Sequence, residues 1–89
     1  METEKRKKDL LEAYKDAKED YNEAWNLMDG ARYGLDKEED EDKVAELEEI
    51  YKHNYDFTTG LEDRMRDIAY KYKELTGRDI KEDLENERR

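Results

Sequence analysis

Val44 to Leu75, which reads VAELEEIYKHNYDFTTGLEDRMRDIAYKYKEL, is the stretch that decides the fold of this 89-residue chain. Ten of its positions follow one another at steps that alternate between three and four residues without a break. These positions are Val44, Leu47, Tyr51, Asn54, Thr58, Leu61, Met65, Ile68, Tyr72 and Leu75. Because such spacing keeps residues on one stripe of an α-helix, the stretch predicts a long helix that buries this stripe.

An upstream stretch repeats the pattern. Its eight stripe positions, again three and four residues apart, are Leu10, Tyr14, Ala17, Tyr21, Ala24, Met28, Ala31 and Leu35. Two helices with one apolar stripe each bury it by packing side by side, so we expect an antiparallel pair. We expect the numbers of facing residues to sum to 75, which places Ala31 opposite Val44 and Met28 opposite Leu47. Small residues then face larger ones.

Glycine and acidic residues mark the predicted boundaries. Gly34, followed by Leu35, is typical of a helix end with a left-handed glycine, and Gly77 ends the second helix similarly. Asp79 with Glu82 three residues later is a capping-box pattern that starts a short third helix. The resulting elements are a helix over about 3–34, an acidic loop over about 35–41, and helices over about 42–76 and about 79–88.

The fold class is therefore all-α, with residues 1–89 in a single domain. It is a long, coiled-coil-like hairpin of two antiparallel helices plus a short C-terminal helix. Thr58-Thr59-Gly60 is the weak point, because a break there gives a three- or four-helix arrangement. The stripe nevertheless runs through Thr58 unchanged and leaves Gly60 outside, where a glycine costs a helix only ~1 kcal/mol. We therefore favour one continuous second helix.

Composition excludes most catalytic chemistry. The chain has 28 Asp and Glu, 18 Lys and Arg, a net charge of −10 and no cysteine. It has a single histidine, His53, and no serine, so neither a catalytic triad nor a tight transition-metal site is expected. We predict a non-enzymatic protein without cofactor or metal. The periodic stripes favour a folded chain despite the 52% of charged residues.

No run of apolar residues approaches the ~20 that span a bilayer. The N-terminal residues 1–8 lead into no apolar segment, so we expect no signal peptide, no membrane association and a cytoplasmic location.

Several large apolar residues lie beside the stripes rather than on them. We predict that they form an apolar flank that mediates association, most simply of two hairpins into a homodimeric four-helix bundle. The residues of this predicted interface are Leu11, Trp25, Leu27, Ile50 and Phe57. Part of the flank is expected to be covered by the third helix, through Ile80 and Leu84.

The acidic residues suggest a second kind of surface. A chain this negative repels DNA and RNA, so we expect no direct nucleic-acid binding, but it attracts proteins that carry basic nucleic-acid grooves. The predicted acidic partner-binding residues are Asp16, Glu19, Glu23, Glu38, Glu39, Asp40, Glu41 and Asp42. The alternative is a merely solvated face, in which acids pair with bases one helical turn away, as in Glu48–Lys52, Glu62–Arg66 and Asp67–Lys71.

At the level of a class, small acidic helical chains without cysteine resemble phage-encoded inhibitors of host enzymes, including anti-CRISPR proteins. No motif in this chain identifies one such family. The resemblance implies an inhibitor or decoy that binds a protein with a basic surface. The alternative is a structural coiled-coil element that self-associates through its apolar flank. Charge-driven binding weakens steeply with salt, whereas apolar assembly does not, so salt dependence separates the two hypotheses.

Overall fold

A computed structural model describes residues 2–87 and confirms the all-α hairpin. Helix α1 (Glu2–Lys37) and helix α2 (Glu41–Thr76) pack against each other along their length, and the short helix α3 (Ile80–Glu87) folds back on them. In the described range 93% of the residues are helical and none is in a strand. The molecule is elongated, with extents of 58 × 25 × 16 Å. Residue 88, the predicted end of α3, lies outside the described residues.

The two stripes form the contact between α1 and α2, as predicted. All eighteen stripe positions are buried or half-buried, although most of the residues between them are exposed. Ala24 and Met28 of α1 are 2% and 0% exposed, and Thr58 of α2 is 2% exposed. The hydroxyl of Thr58 is accommodated there because it donates to the carbonyl oxygen of Tyr55 at 2.7 Å.

Gly34 does not end the first helix, so that prediction is wrong. Helix α1 continues to Lys37, and the backbone N–H of Glu38 still donates to the Gly34 carbonyl at 2.8 Å. The glycine instead allows close packing, because a Cβ at this position would lie 3.0 Å from Cδ1 of Leu47. The connecting loop is accordingly shorter than predicted and spans residues 38–40.

The predicted pairing register is also wrong, by about one heptad. Gly34 approaches Leu47, and the Tyr21 hydroxyl donates to Oε1 of Glu62 at 2.9 Å, so facing residues have numbers that sum to 81 and 83 rather than 75. The longer α1 and the three-residue loop explain the shift, because they place the last turn of α1 against the first turns of α2. Ala31 therefore faces the region of Tyr51 instead of Val44.

Helix α2 is continuous through Gly60, as favoured from the sequence. Nothing lies within 4 Å of the place where a Cβ of Gly60 would stand, so this glycine is on an open outer face. The hydroxyl of Thr59 donates to the Tyr55 carbonyl at 3.1 Å and thus stays satisfied within the helix. Thr59 and Glu62 have the spacing of a capping box, but they do not start a new helix.

The predicted helix end at Gly77 and the predicted start of α3 at Asp79 are present, and Asp40 supplies a cap that was not predicted. Asp40 is the N-cap of α2 and accepts from the backbone N–H of Asp42 at 2.9 Å. Gly77 adopts a left-handed conformation with φ 73° and donates to the carbonyl of Lys73 at 2.7 Å. Asp79 accepts from the backbone N–H of Lys81 at 2.8 Å and so caps α3.

A cluster of buried hydrophobic residues lies at the end of the hairpin that holds α3, which we call the terminal end. Its buried residues are Leu11, Tyr14, Ile68, Tyr72 and Ile80. The Tyr72 hydroxyl donates to Oδ2 of Asp83, and Nε of Arg78 donates to Oδ1 of the same carboxylate at 2.7 Å. Burial and this hydrogen bond raise the pKa of Tyr72 to about 12. The two donors lower the pKa of Asp83.

Candidate protein-interaction surfaces

The hairpin has two sides that flank the buried stripes. With the stripe residues at heptad positions a and d, the e positions of both helices lie on one side of an antiparallel pair and the g positions on the other. We call the e side the groove side, because α3 packs there against Leu11. We call the g side the ridge side. The hydrogen bond from Tyr21 to Glu62 crosses the groove side, and the Gly34–Leu47 contact lies on the ridge side.

The predicted apolar flank does not form one surface. Leu11 is only 8% exposed and belongs to the core at the terminal end, because Ile80 of α3 covers it. Trp25 is 37% exposed and lies on the groove side. The sequence signal that separates these residues is their heptad position, since Leu11 and Trp25 directly follow a stripe residue of α1.

Leu27, Ile50 and Phe57 lie together on the ridge side, and we call them the apolar ridge. They are 57%, 43% and 48% exposed, respectively. In the observed register Leu27 of α1 lies between the levels of Ile50 and Phe57 of α2. Three of the five predicted flank residues are therefore brought to one face, and two are not.

The acidic residues predicted on α1 remain in solvent. Asp16, Glu19 and Glu23 are exposed, and none of them takes part in the ion pairs found among residues 2–87. On α2 the predicted Asp67–Lys71 pair is present at 3.0 Å. The predicted Glu62–Arg66 pair is replaced by Arg66–Asp63 at 3.6 Å, because Glu62 accepts the Tyr21 hydroxyl instead.

The acidic residues predicted in the loop form one end of the molecule. Residues 36–49, which we call the acidic loop end, contain nine acidic residues against two lysines, a net charge of −7. Two of the predicted acidic residues stabilise the turn through hydrogen bonds to the backbone. Asp40 caps α2, and Oε1 of Glu38 accepts from the backbone N–H of Asp40 at 3.1 Å. Glu39 and Glu41 are exposed, with no side-chain hydrogen bond among the described contacts, and Asp42 is also exposed.

Sequence reasoning missed two aromatic pairs on the groove side. The rings of Tyr21 and Trp25 meet edge to face with centroids 6.2 Å apart, and those of Tyr51 and Tyr55 stack at 6.5 Å. The two residues of each pair are four positions apart on one helix. One pair is on α1 and the other on α2, and we call these two edges of the groove side the α1 bank and the α2 bank. We call these four residues the aromatic groove. The spacing of four, read together with the heptad positions, is a signal that predicts these pairs.

Within residues 2–87 no group of three His, Asp or Glu side chains is placed to hold a metal ion. An open cleft between α3 and α1 is lined by Tyr14, Lys15, Lys18 and Leu84. None of the three described helices is long and apolar enough to cross a membrane.

Comparisons with protein-family models, with curated proteins and with solved structures give no match to this chain.

Proposed function

We propose that this chain acts without catalysis by binding another protein, and that its acidic loop end occupies a basic, nucleic-acid-binding surface of that partner. The distribution of charge carries the proposal. The acidic loop end holds −7 of the net charge of −10, at one end of a molecule 58 Å long. Such a concentration of negative charge produces a field that steers association with a basic surface.

The rigidity of the acidic loop end supports the same proposal. The loop has only three residues, and its backbone is held by the Asp40 cap and by the hydrogen bond from Asp40 to Glu38. The backbone that carries these carboxylates therefore needs little ordering when the acidic loop end binds. Preorganisation of this kind favours affinity, because less conformational entropy is lost in the complex.

The exposed acids of α1 extend the negative surface. Asp16, Glu19 and Glu23 are three or four residues apart and therefore lie along one outer face of α1. Asn26, Gly30 and Tyr33 separate this row from the acidic loop end on the same face. The row therefore adds a second set of carboxylates along the rod, which offers a basic groove charges at intervals, as a nucleic-acid backbone does. The proposed action is that of a decoy or inhibitor, which excludes nucleic acid from the partner's groove.

The test is displacement of DNA. We expect the chain to release a fluorescently labelled duplex from at least one member of a panel of basic DNA-binding proteins, measured by anisotropy. The apparent affinity should fall steeply between low and high salt, because ion pairs are exchanged for bound counterions. Failure with every member of the panel, or direct binding of the chain to the duplex, would contradict the proposal.

Matched variants locate the effect on the chain. Glu39→Gln with Glu41→Gln removes two charges from the acidic loop end and leaves the Asp40 cap intact. Glu12→Gln with Glu74→Gln removes two exposed charges near the terminal end. The first pair should weaken displacement several-fold more than the second. Equal effects would mean that net charge alone, and not the acidic loop end, determines binding.

The apolar ridge supports a second candidate function, self-association as an assembly element. Leu27, Ile50 and Phe57 are each more than two-fifths exposed on one face, and adjacent exposed apolar side chains favour association. The test is the solution mass by light scattering across concentration and salt. A homodimer has twice the 10.8 kDa mass of the chain, and Phe57→Ala should shift it towards monomer.

A further inference from the structure

We propose that the aromatic groove is a second docking site, which binds an amphipathic helix of a partner protein in line with α3. This surface is distinct from the acidic loop end, so the inference goes beyond the function proposed above. It is carried by the packing of α3, by the aromatic side chains that α3 leaves uncovered, and by the charges on the two banks of the groove.

Helix α3 demonstrates that this side of the hairpin accepts a helix. Its residues Ile80 and Leu84, spaced by four, pack into the groove at the terminal end against the core that contains Leu11 and Tyr72. Its last described turn reaches α1 where Nζ of Lys15 contacts Oε2 of Glu87 at 2.7 Å. The described part of α3 thus covers only the terminal end of the groove side. Beyond it the hydrogen bond from Tyr21 to Glu62 joins α1 and α2, and the exposed rings of Trp25 and Tyr55 lie further towards the loop.

The uncovered part of the groove is lined by the residue types that dominate binding sites. Trp25 is 37% exposed and Tyr55 is 52% exposed, while their partners Tyr21 and Tyr51 are half-buried beneath them. Trp and Tyr are enriched among the residues that contribute most to protein–protein affinity. Trp25 lies ten residues beyond Lys15 along α1, roughly 15 Å further towards the loop.

The charges on the banks select the chemistry of the occupant. On the α1 bank the e positions flanking Trp25 are Lys18 and Arg32, and on the α2 bank those flanking Tyr55 are Glu48 and Glu62. The Lys15–Glu87 pair shows how an acidic flank of a docked helix meets the α1 bank. The fitting partner helix therefore has an apolar stripe, an acidic flank towards α1 and a basic flank towards α2.

The length of the open groove limits the length of that helix. Lys18 and Arg32 are fourteen residues apart on α1, which corresponds to roughly 21 Å. A docked helix of about four turns fills this length, and its apolar residues would contact the aromatic groove at positions spaced by three and four.

The test uses Trp25 as its reporter, because it is the only tryptophan of the chain. The probe is a synthetic helix of about 15 residues with Ile and Leu along one stripe, Glu along one flank and Lys along the other. We expect saturable binding with a shift of the Trp25 emission to shorter wavelength. A scrambled peptide of the same composition should cause no shift.

Two tyrosine variants of α2 make the test specific. Tyr55→Ala should weaken binding at least tenfold, whereas Tyr70→Ala, which removes a tyrosine that is 63% exposed on the outer face, should change it less than twofold. Both side chains are exposed, so both variants should keep the helical circular dichroism of the wild type. Equal effects of the two variants, or equal shifts with the scrambled peptide, would overturn the proposal.

Two further outcomes separate this site from the others. Glu39→Gln with Glu41→Gln should leave peptide binding within twofold. A loss of binding in this variant would place the peptide on the acidic loop end and overturn the assignment to the groove. A concentration-dependent shift of Trp25 without peptide, together with a doubled mass, would identify a second copy of the chain as the occupant and overturn the partner helix.

Discussion

The two ends of the hairpin contain different kinds of residue. At the terminal end, Tyr72 and Ile80 are 0% and 1% exposed, and α3 adds a third layer over α1 and α2. At the loop end only two layers exist, Val44 and Leu47 are half-buried, and the chain concentrates a charge of −7. The buried cluster and the concentrated negative charge therefore lie at opposite ends of the molecule. The end that we propose for partner binding contributes little to the core.

Tyr72→Ala should have the largest effect on this comparison, because it removes a fully buried ring from the terminal end. We expect the free energy of unfolding to fall by about 3–5 kcal/mol, as for other buried aromatic residues replaced by alanine. Tyr70→Ala, two residues away and 63% exposed, is the matched control and should change it by less than about 0.5 kcal/mol. Urea unfolding followed by circular dichroism measures both, and similar losses would contradict a core concentrated at Tyr72.

The raised pKa of Tyr72 predicts loss of stability in alkaline solution. Because the folded state favours the neutral phenol, with a pKa of about 12, its contribution is complete below pH ~10 and is lost as the pH rises from 10 to 12. Two pKa units correspond to about 2–3 kcal/mol. Between pH 9 and 12 the free energy of unfolding should therefore fall more steeply for the wild type than for Tyr72→Phe. The same pH dependence in both proteins would contradict a raised pKa of Tyr72 in the folded state.

Asp40→Ala tests the loop end. Removal of this N-cap leaves the backbone N–H of Asp42 without its side-chain acceptor, and we expect a loss of about 1 kcal/mol of stability. Glu39→Ala removes a neighbouring acid that makes no side-chain hydrogen bond among the described contacts, and it should change stability by less than about 0.5 kcal/mol. Thermal unfolding distinguishes them. If both variants behave alike, Asp40 acts through its charge rather than as a cap.

The smallest effect concerns two glycines. Gly60→Ala should stabilise the chain by up to ~1 kcal/mol, because helix propensity improves and the added methyl group meets no neighbour within 4 Å. Gly34→Ala gains the same propensity, but its Cβ would lie 3.0 Å from Leu47. We therefore expect Gly34→Ala to have the lower melting temperature of the two. The reverse order would mean that Leu47 moves aside without cost.

The helices were predictable from the sequence because their signal is repeated over many residues. A polar residue at one position, such as Asn54 or Thr58, does not obscure a pattern that repeats over ten positions. The predicted register gave Val44 and Leu47 partners on a first helix that was expected to end at Gly34, but glycine occurs both at helix ends and where two backbones approach closely. Only the structure shows that Leu47 is the neighbour that favours glycine there, and this one misreading shifted the pairing by about a heptad.

The candidate surfaces were less predictable for a related reason. The sequence marks Leu11, Trp25 and Leu27 as apolar residues beside a stripe, and their heptad positions already place Leu11 and Trp25 on one side and Leu27 on the other. Whether Leu11 is covered depends on Ile80, almost seventy residues later, and on the turn at Gly77 that returns α3 to the hairpin. The sequence correctly predicted that Ile80 and Leu84 cover part of the flank, but no local pattern identifies Leu11 as the residue that they cover.

The course of α3 has a practical consequence for handling this molecule. Because α3 returns along α1 as far as Lys15, residues 2 and 87, which bound the described chain, both lie in the half of the rod opposite the loop. Lys15 and Lys37 are 22 residues apart on one helix, roughly 33 Å, which is several times the screening length of about 8 Å at physiological salt. A tether attached in that half would leave the acidic loop end in solution, far from the sensor surface. Counterions would screen the charge of the acidic loop end from that surface.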